Sequence, residues 1–382
     1  MDVQKNLSQV PVCVWPWFHF GLGWNTFGAC CNSFKLDFGN IKEMSSNVDI
    51  INDIFNHDAY VYLRKKLLNG ELAEPCENCT QKNNTGAFSQ VQERTLDNLV
   101  NIEDKQQQYR AIKNYNNAIA SIFRKNSIVD YMPVHAIVIC GSACNIRCKF
   151  CYNCNMDYNP EVADILRILD LIHETLVYCQ LSGGEPLVTK AGRAILKEFA
   201  EGKYKFAVRL GTNAQFVDFN LLKPVNLADV QISTDAATKR VYETVRIGGD
   251  FDDLISNTKK IVEMKKEKPY MKVSTNFTVT SDNYMDIPEA CKLYEDLGTF
   301  TMFSLVMREK DDPQNIRERP DLYESLLKKI DEAMIIVVNP ITKDKLMAIK
   351  NTILDKMQEN EQHAKKINAL GIYRNVEKTN IQ

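Results

Sequence analysis

The chain has 382 residues, 45% hydrophobic and 25% charged, with a formal net charge of −2 and 12 cysteines. This length gives room for one large domain or two to three smaller ones, and the composition is that of an ordinary globular protein. The charge balance offers no electrostatic footprint for nucleic acid or an anionic membrane, and the apolar run from Pro11 to Gly23 is too short to span a bilayer.

In chain order, the first cysteine group comes first: Cys13, Cys30, Cys31, Cys76 and Cys79. The N-terminal region lacks a basic n-region and an A-x-A-like site, so it does not read as a signal peptide. An intracellular chain this rich in cysteine is expected to bind metal rather than form a disulfide framework. Trp15, Trp17, Phe18 and Phe20 are expected to cover the N-terminal cysteines. From Asn84 to Lys125 the sequence is polar, and Leu96, Leu99, Ile102, Ile112, Tyr115, Ile119 and Ile122 form an apolar stripe that predicts connecting helices.

From Val134 the pattern changes to short apolar runs alternating with amphipathic stretches. Strands are predicted at His135–Cys140, Leu176–Leu181, Phe206–Leu210, Asp229–Ser233, Lys272–Thr278 and Phe300–Met307. Helices are predicted at Glu161–Glu174, Lys190–Glu201, Phe251–Lys266 and Ile287–Leu297, with further charged helices at Tyr323–Asn339 and Lys343–Lys356. Such alternation indicates a parallel sheet, open or curled toward a barrel, whose ligand sites lie at the strand C-termini. The chemistry-bearing residues fall there: the second cysteine group after the first strand, then Gly183-Gly184-Glu185, Gly211-Thr212-Asn213 and Ser233-Thr234-Asp235.

Within CNIRCKFCYN, Cys144, Cys148 and Cys151 are spaced C-x3-C-x2-C. Three thiolates so close can hold three irons of a [4Fe–4S] cube and leave the fourth iron open for chemistry. A structural zinc site is the alternative reading. The register Cys148, Cys151, Cys154 is similar to bacterial ferredoxins but lacks the following C-P ligand. Cys140 and Cys154 read as bystanders, Cys179 and Cys291 as buried thiols, and the five histidines, which show no metal-ligand spacing, as surface or packing residues.

With this triad after a strand and a GGEP segment downstream, the chain resembles the radical S-adenosylmethionine (SAM) superfamily. The resemblance implies a partial (βα)6 barrel in which the triad holds a [4Fe–4S] cluster. SAM binds the open iron and is cleaved to a 5'-deoxyadenosyl radical. Gly183, Gly184 and Glu185 would contact the amino end of SAM, with Phe150 and Tyr152 shielding the cluster. Ser233 and Asp235 suit hydrogen bonds to a ribose or, equally, capping of the next helix. Asn213-Ala214 and Arg246 resemble family segments, without a role assigned here.

The N-terminal stretch resembles the SPASM or shorter twitch domain: Cys13 precedes an apolar strand, Asn25 takes the turn position, and Cys30 falls five residues later. Asn tolerates the left-handed conformation such a turn requires. The resemblance implies that Cys13, Cys30, Cys76 and Cys79 hold an auxiliary [4Fe–4S] cluster, with the adjacent Cys31 as the alternative to Cys30; structural zinc is the alternative metal. The expected organisation is a SPASM/twitch-like α+β module at 1–95, a helical connector at 96–133, the radical SAM core at 134–308 and a helical C-terminal extension at 309–382. The resemblance further implies a peptide or protein substrate, modified by epimerisation, cross-linking or oxidation, with a sugar, another small molecule or a nucleic acid as alternative; a non-catalytic iron–sulfur or zinc binding protein is the alternative from a different class. It also implies a reductant such as flavodoxin or ferredoxin, and a cytoplasmic location without membrane attachment.

Overall fold

The computed structural model describes residues 13–30, 32–44, 47–76, 79, 84–153 and 156–369; Cys31 and Cys154 lie outside them. Among the described residues the strands are β1 (His19–Gly23), β2 (Thr26–Gly28), β3 (His135–Ile139), β4 (Arg147–Cys148), β5 (Tyr178–Ser182), β6 (Ala207–Thr212), β7 (Leu227–Ser233), β8 (Arg246–Ile247), β9 (Lys272–Val279) and β10 (Phe300–Leu305). The six longer strands predicted from Val134 onward are all present, with ends shifted by a few residues. The chain divides into two compact units.

The first unit holds the described residues up to Asn145, together with Tyr152–Gln231 and Lys265–Lys272. Its strands follow the order β7-β6-β5-β3-β1-β2. β3, β5 and β6 run parallel, with His135 opposite Tyr178 and Tyr178 opposite Ala207. All five residues of β3 are buried, as expected for a parallel strand covered on both faces. The helix Val162–Ile172 turns Ile165, Ile168, Leu169 and Ile172 inward, a stripe at helical spacing. The helix Lys190–Ala200 is capped by Thr189, whose hydroxyl accepts the Gly192 N–H at 3.2 Å. The predicted connector forms the helices Asn84–Leu99 and Lys105–Phe123.

The sequence assigns β1 no partner. In the structure it pairs in parallel with β3, from His19 opposite His135 to Leu22 opposite Val138. The hairpin to β2 turns through Trp24 (φ 56°) and Asn25 (φ 57°), so the left-handed conformation expected at Asn25 is shared by its neighbour. The helix Asp58–Leu68 pins this hairpin: the Tyr60 hydroxyl donates to Gly28 O at 2.7 Å, and the buried Arg64 donates to Pro16 O at 2.9 Å. The four aromatic residues after Cys13 are buried. Trp17 donates to Asn126 O at 3.0 Å, and Phe18 meets Tyr115 with ring centroids 5.4 Å apart.

The second unit holds Ile146–Cys151, Ile232–Met264 and the described residues from Val273 onward. Here β9 and β10 are parallel, with Phe300 opposite Ser274. β4 and β8 form a two-residue antiparallel ribbon in which Cys148 faces Arg246. The C-terminal helices Tyr323–Ile336 and Pro340–Ala369 are integral to this unit: Leu326, Ile330, Leu346 and Ile353 are fully buried in one cluster with Phe277, Tyr294 and Phe303. No helix among the described residues is long and apolar enough to cross a membrane.

Candidate functional site

In the first unit the loop after β3 carries Cys144, which is exposed. The Gly183-Gly184-Glu185 segment after β5 lies directly on this loop, through Gly184 N–H to Gly141 O at 2.7 Å and Glu185 N–H to Ala143 O at 2.9 Å. A Cβ on Gly184 would stand 2.1 Å from Ala143 O, and one on Gly183 (φ 128°) 2.5 Å from Gly141 O. Both positions therefore demand glycine because two backbones touch. Asn153 adds a third tie, donating to Gly183 O at 3.1 Å.

Glu185 is only 1% exposed. One carboxylate oxygen accepts from Leu187 N at 3.1 Å and Thr212 Oγ1 at 2.9 Å; the other accepts from Asn213 N at 2.7 Å. It thus joins the end of β5 to the end of β6. Asn213 in turn reaches the cysteine loop: its Nδ2 donates to Asn145 Oδ1 at 2.9 Å and to Cys144 Sγ at 3.6 Å. Ala214 follows with φ 56°, a left-handed conformation that a non-glycine residue rarely adopts.

In the second unit Asp235 and Arg246 form a buried ion pair. The Arg246 Nε donates to Asp235 Oδ2 at 2.7 Å, and the side chains are 6% and 0% exposed. Asp235 Oδ1 accepts the Thr278 N–H at 2.5 Å, and its carbonyl accepts from Asn283 Nδ2 at 2.8 Å. Burial alone would lower the Arg246 pKa, but the Asp235 carboxylate and the Cys148 thiol hold it above its ordinary value. The capping alternative for Ser233 and Asp235 does not hold: the next helix, Lys239–Val245, has Thr238 at its N-cap and no side-chain cap hydrogen bond. Ser233 is half-buried at the end of β7. Cys148 and Cys151 are half-buried, and Tyr152 is 66% exposed.

The N-terminal cysteines also gather, all within the first unit. Burial raises the Cys13 pKa well above its ordinary value, and the neighbouring Cys30, Cys76 and Cys79 thiols add to the rise. The Ser33 hydroxyl accepts from Ala29 N at 2.7 Å and Cys30 N at 3.0 Å, fixing the turn that presents Cys30. Cys79 N–H donates to Cys76 O at 3.1 Å, which holds the C-x2-C pair together. Burial pushes the bystander Cys140 up to about 12, and Cys179 and Cys291 are buried as expected.

Among the described residues no three His, Cys, Asp or Glu side chains converge where a single metal ion would sit. The fit to iron–sulfur clusters rests instead on donor chemistry. Both cysteine sets offer soft thiol donors, and the Cys144 sulfur has a buried amide donor beside it, the kind of hydrogen bond that cluster sulfurs accept.

Comparison with known proteins agrees. Residues 138–294 match the model of the radical SAM superfamily. This stretch is a radical SAM domain, and such a domain implies a [4Fe–4S] cluster and SAM. Residues 13–80 match the SPASM iron–sulfur cluster-binding domain, which implies an auxiliary cluster and here stands N-terminal to the radical SAM domain. Over 163 residues the chain is 26% identical to the probable GTP 3',8-cyclase of Methanocaldococcus jannaschii. That alignment covers 41% of this chain and 53% of the relative, so the chain spans about half the length of the curated relative it matches. Among solved structures, Streptococcus suis SuiB bound to precursor peptide SuiA is 18% identical with a TM-score of 0.42, covering 65% of this chain and 58% of that one. Native anSMEcpe with bound AdoMet is 19% identical with a TM-score of 0.40, covering 51% and 58%.

Two features were missed by sequence reasoning. Asn213 stood in a recognised segment, but its contact with Cys144 depends on how the Glu185 carboxylate is aimed. The pairing of Arg246 with Asp235 spans 11 residues and a helix, and no local pattern marks it.

Proposed function

We propose that Cys144, Cys148 and Cys151 ligate the SAM-binding [4Fe–4S] cluster, and that Cys13, Cys30, Cys76 and Cys79 hold the auxiliary one. Gly183, Gly184 and Glu185 border the amino end of SAM, and Ser233 lies toward its ribose. Asp235 enters through Arg246, as the buried carboxylate that fixes the strand end beside Cys148. When bound, the cluster and SAM supply reductive cleavage of the sulfonium to a 5'-deoxyadenosyl radical, which takes a hydrogen atom from the substrate.

This chain's residues position and enclose. Glu185 holds the ends of β5 and β6 together through two hydrogen bonds, from Thr212 Oγ1 and Asn213 N, so the segment bearing Cys144 rests on a fixed floor. That network is the observation that carries the reading: it ties the segment bearing Cys144, a Gly-Gly-Glu segment and a Thr-Asn turn into one strand-end constellation. We assign the substrate to the peptide or protein class, supported by the fusion of an auxiliary-cluster domain to a radical SAM domain. Electrons would come from a low-potential carrier such as flavodoxin or ferredoxin.

The test is anaerobic reconstitution followed by SAM and dithionite. Wild type should release 5'-deoxyadenosine and Cys148→Ala only background; equal release from both would refute the cluster assignment. The double variant Cys76→Ala with Cys79→Ala should lose about half of the iron, since one of two four-iron clusters is removed, and full iron retention would remove the auxiliary assignment. Mass spectrometry of candidate peptides after turnover tests the substrate class, and turnover of a sugar or nucleotide but no peptide would overturn it.

A further inference from the structure

Asn213 is the first residue past β6 and is 5% exposed. Every polar group of its side chain is committed. Oδ1 accepts the Gln215 N–H at 3.0 Å, while Nδ2 donates to Asn145 Oδ1 at 2.9 Å and to Cys144 Sγ at 3.6 Å. The orientation of the amide is fixed by chemistry. The backbone N–H of Gln215 can only donate, so the oxygen must face it, and the NH₂ group must face the sulfur. The backbone of Asn213 is fixed as well, because its own N–H is held by the buried Glu185 carboxylate at 2.7 Å. A continuous run of hydrogen bonds therefore leads from Glu185 through Asn213 to the thiol of Cys144.

We infer that Asn213 is a positioning residue for the SAM-binding cluster. It holds the Cys144 sulfur in place and, through its N–H···S bond, raises the reduction potential of the cluster. An amide donor withdraws charge from a ligating sulfur and so favours the reduced, more negative form. Glu185 acts behind it, keeping the donor aimed. The inference rests on Cys144 being a cluster ligand.

The test is a redox titration of the full, anaerobically reconstituted chain, followed by electron paramagnetic resonance on the signal that SAM perturbs. Iron content and circular dichroism are measured on the same samples. Asn213→Ala should lower the ratio of reduced to oxidised cluster about tenfold at a fixed ambient potential, equal to about 59 mV for a one-electron couple. Asn213→Asp keeps the size and the acceptor for Gln215 but replaces the donor with a charge, so its shift should be at least as large. A folded variant that loads less iron also supports the positioning role. Variants that match wild type in iron content, spectrum and titration curve would overturn it. Cys144→Ala separates the two layers: if it kept a full SAM-perturbed cluster, the ligand assignment would fall rather than the role of Asn213.

Discussion

Arg246 meets Asp235 twice over: its Nε donates to the carboxylate at 2.7 Å, and its guanidinium closes the ion pair with a second nitrogen. The main chain of the same arginine is the register partner of Cys148, and Lys149 N–H donates to Val245 O at 2.9 Å just beside it. One residue thus carries a buried charge on its side chain and an expected cluster ligand across its backbone. Asp235 itself adopts φ 54°, a conformation Asp tolerates better than most residues, and it is held there by Thr278 and Asn283.

Removing one partner of this pair leaves an uncompensated buried charge. Arg246→Met should cost about 3–5 kcal/mol of stability in urea unfolding. The double variant with Asp235→Asn should recover part of that loss, because neither charge then remains buried. A single variant as stable as wild type would show that the pair is solvated in solution.

Gly184 and Gly70 make a matched comparison. Gly184→Ala would drive a Cβ to 2.1 Å from Ala143 O and 2.6 Å from Ser142 O, both backbone atoms of the cysteine loop. A stability loss of about 1–3 kcal/mol or more is expected, together with loss of iron. Gly70→Ala meets no atom within 4 Å and carries only the strain of φ 75°, about 1 kcal/mol, and should load iron fully. Equal iron in both variants would mean the contact between the two loops is not needed to hold the cluster.

The register partners His19 and His135 bring a pH dependence. Burial, aided by nearby Arg94, lowers His19 to about 3; burial, Arg94 and His19 lower His135 well below its ordinary value. Both are therefore neutral when folded, whereas an unfolded histidine takes up a proton near pH ~6.5. Below that pH the unfolded chain binds more protons, so stability falls as pH falls toward 3. The slope is up to about 1.4 kcal/mol per pH unit for each histidine; above pH ~6.5 the two contribute none. Urea unfolding at pH 7.5 and 5.5 should show the loss, and His19→Leu should show less of it. A variant with an unchanged slope would refute the assignment.

Much of the catalytic half was legible because its signals are local. Apolar β-branched runs gave the strands, and chemistry-bearing residues at their C-terminal ends gave the candidate site. What the sequence left open depends on contacts between distant segments. Gly183 and Gly184 were singled out as positions of close approach, yet the nearest object is the backbone at Gly141 and Ala143. Glu185 looked like a charge offered to a ligand, but three protein donors already hold it. The two-residue ribbon β4–β8 is too short for any periodic signal. The pairing of β1 with β3 joins residues more than a hundred positions apart, and HFGLG is buried on both faces, so its pattern does not single out a partner.

That last pairing has a bearing on how the chain can be cut. β3 would be an edge strand without β1, and it is five buried residues long with no charge to guard it. A fragment beginning after the cluster-binding domain would expose those unpaired backbone groups to any other chain in solution. The hairpin β1–β2 ends the row instead with a strand of only three residues. A chain cut there is expected to self-associate more readily than the whole one, whether or not the N-terminal residues bind iron.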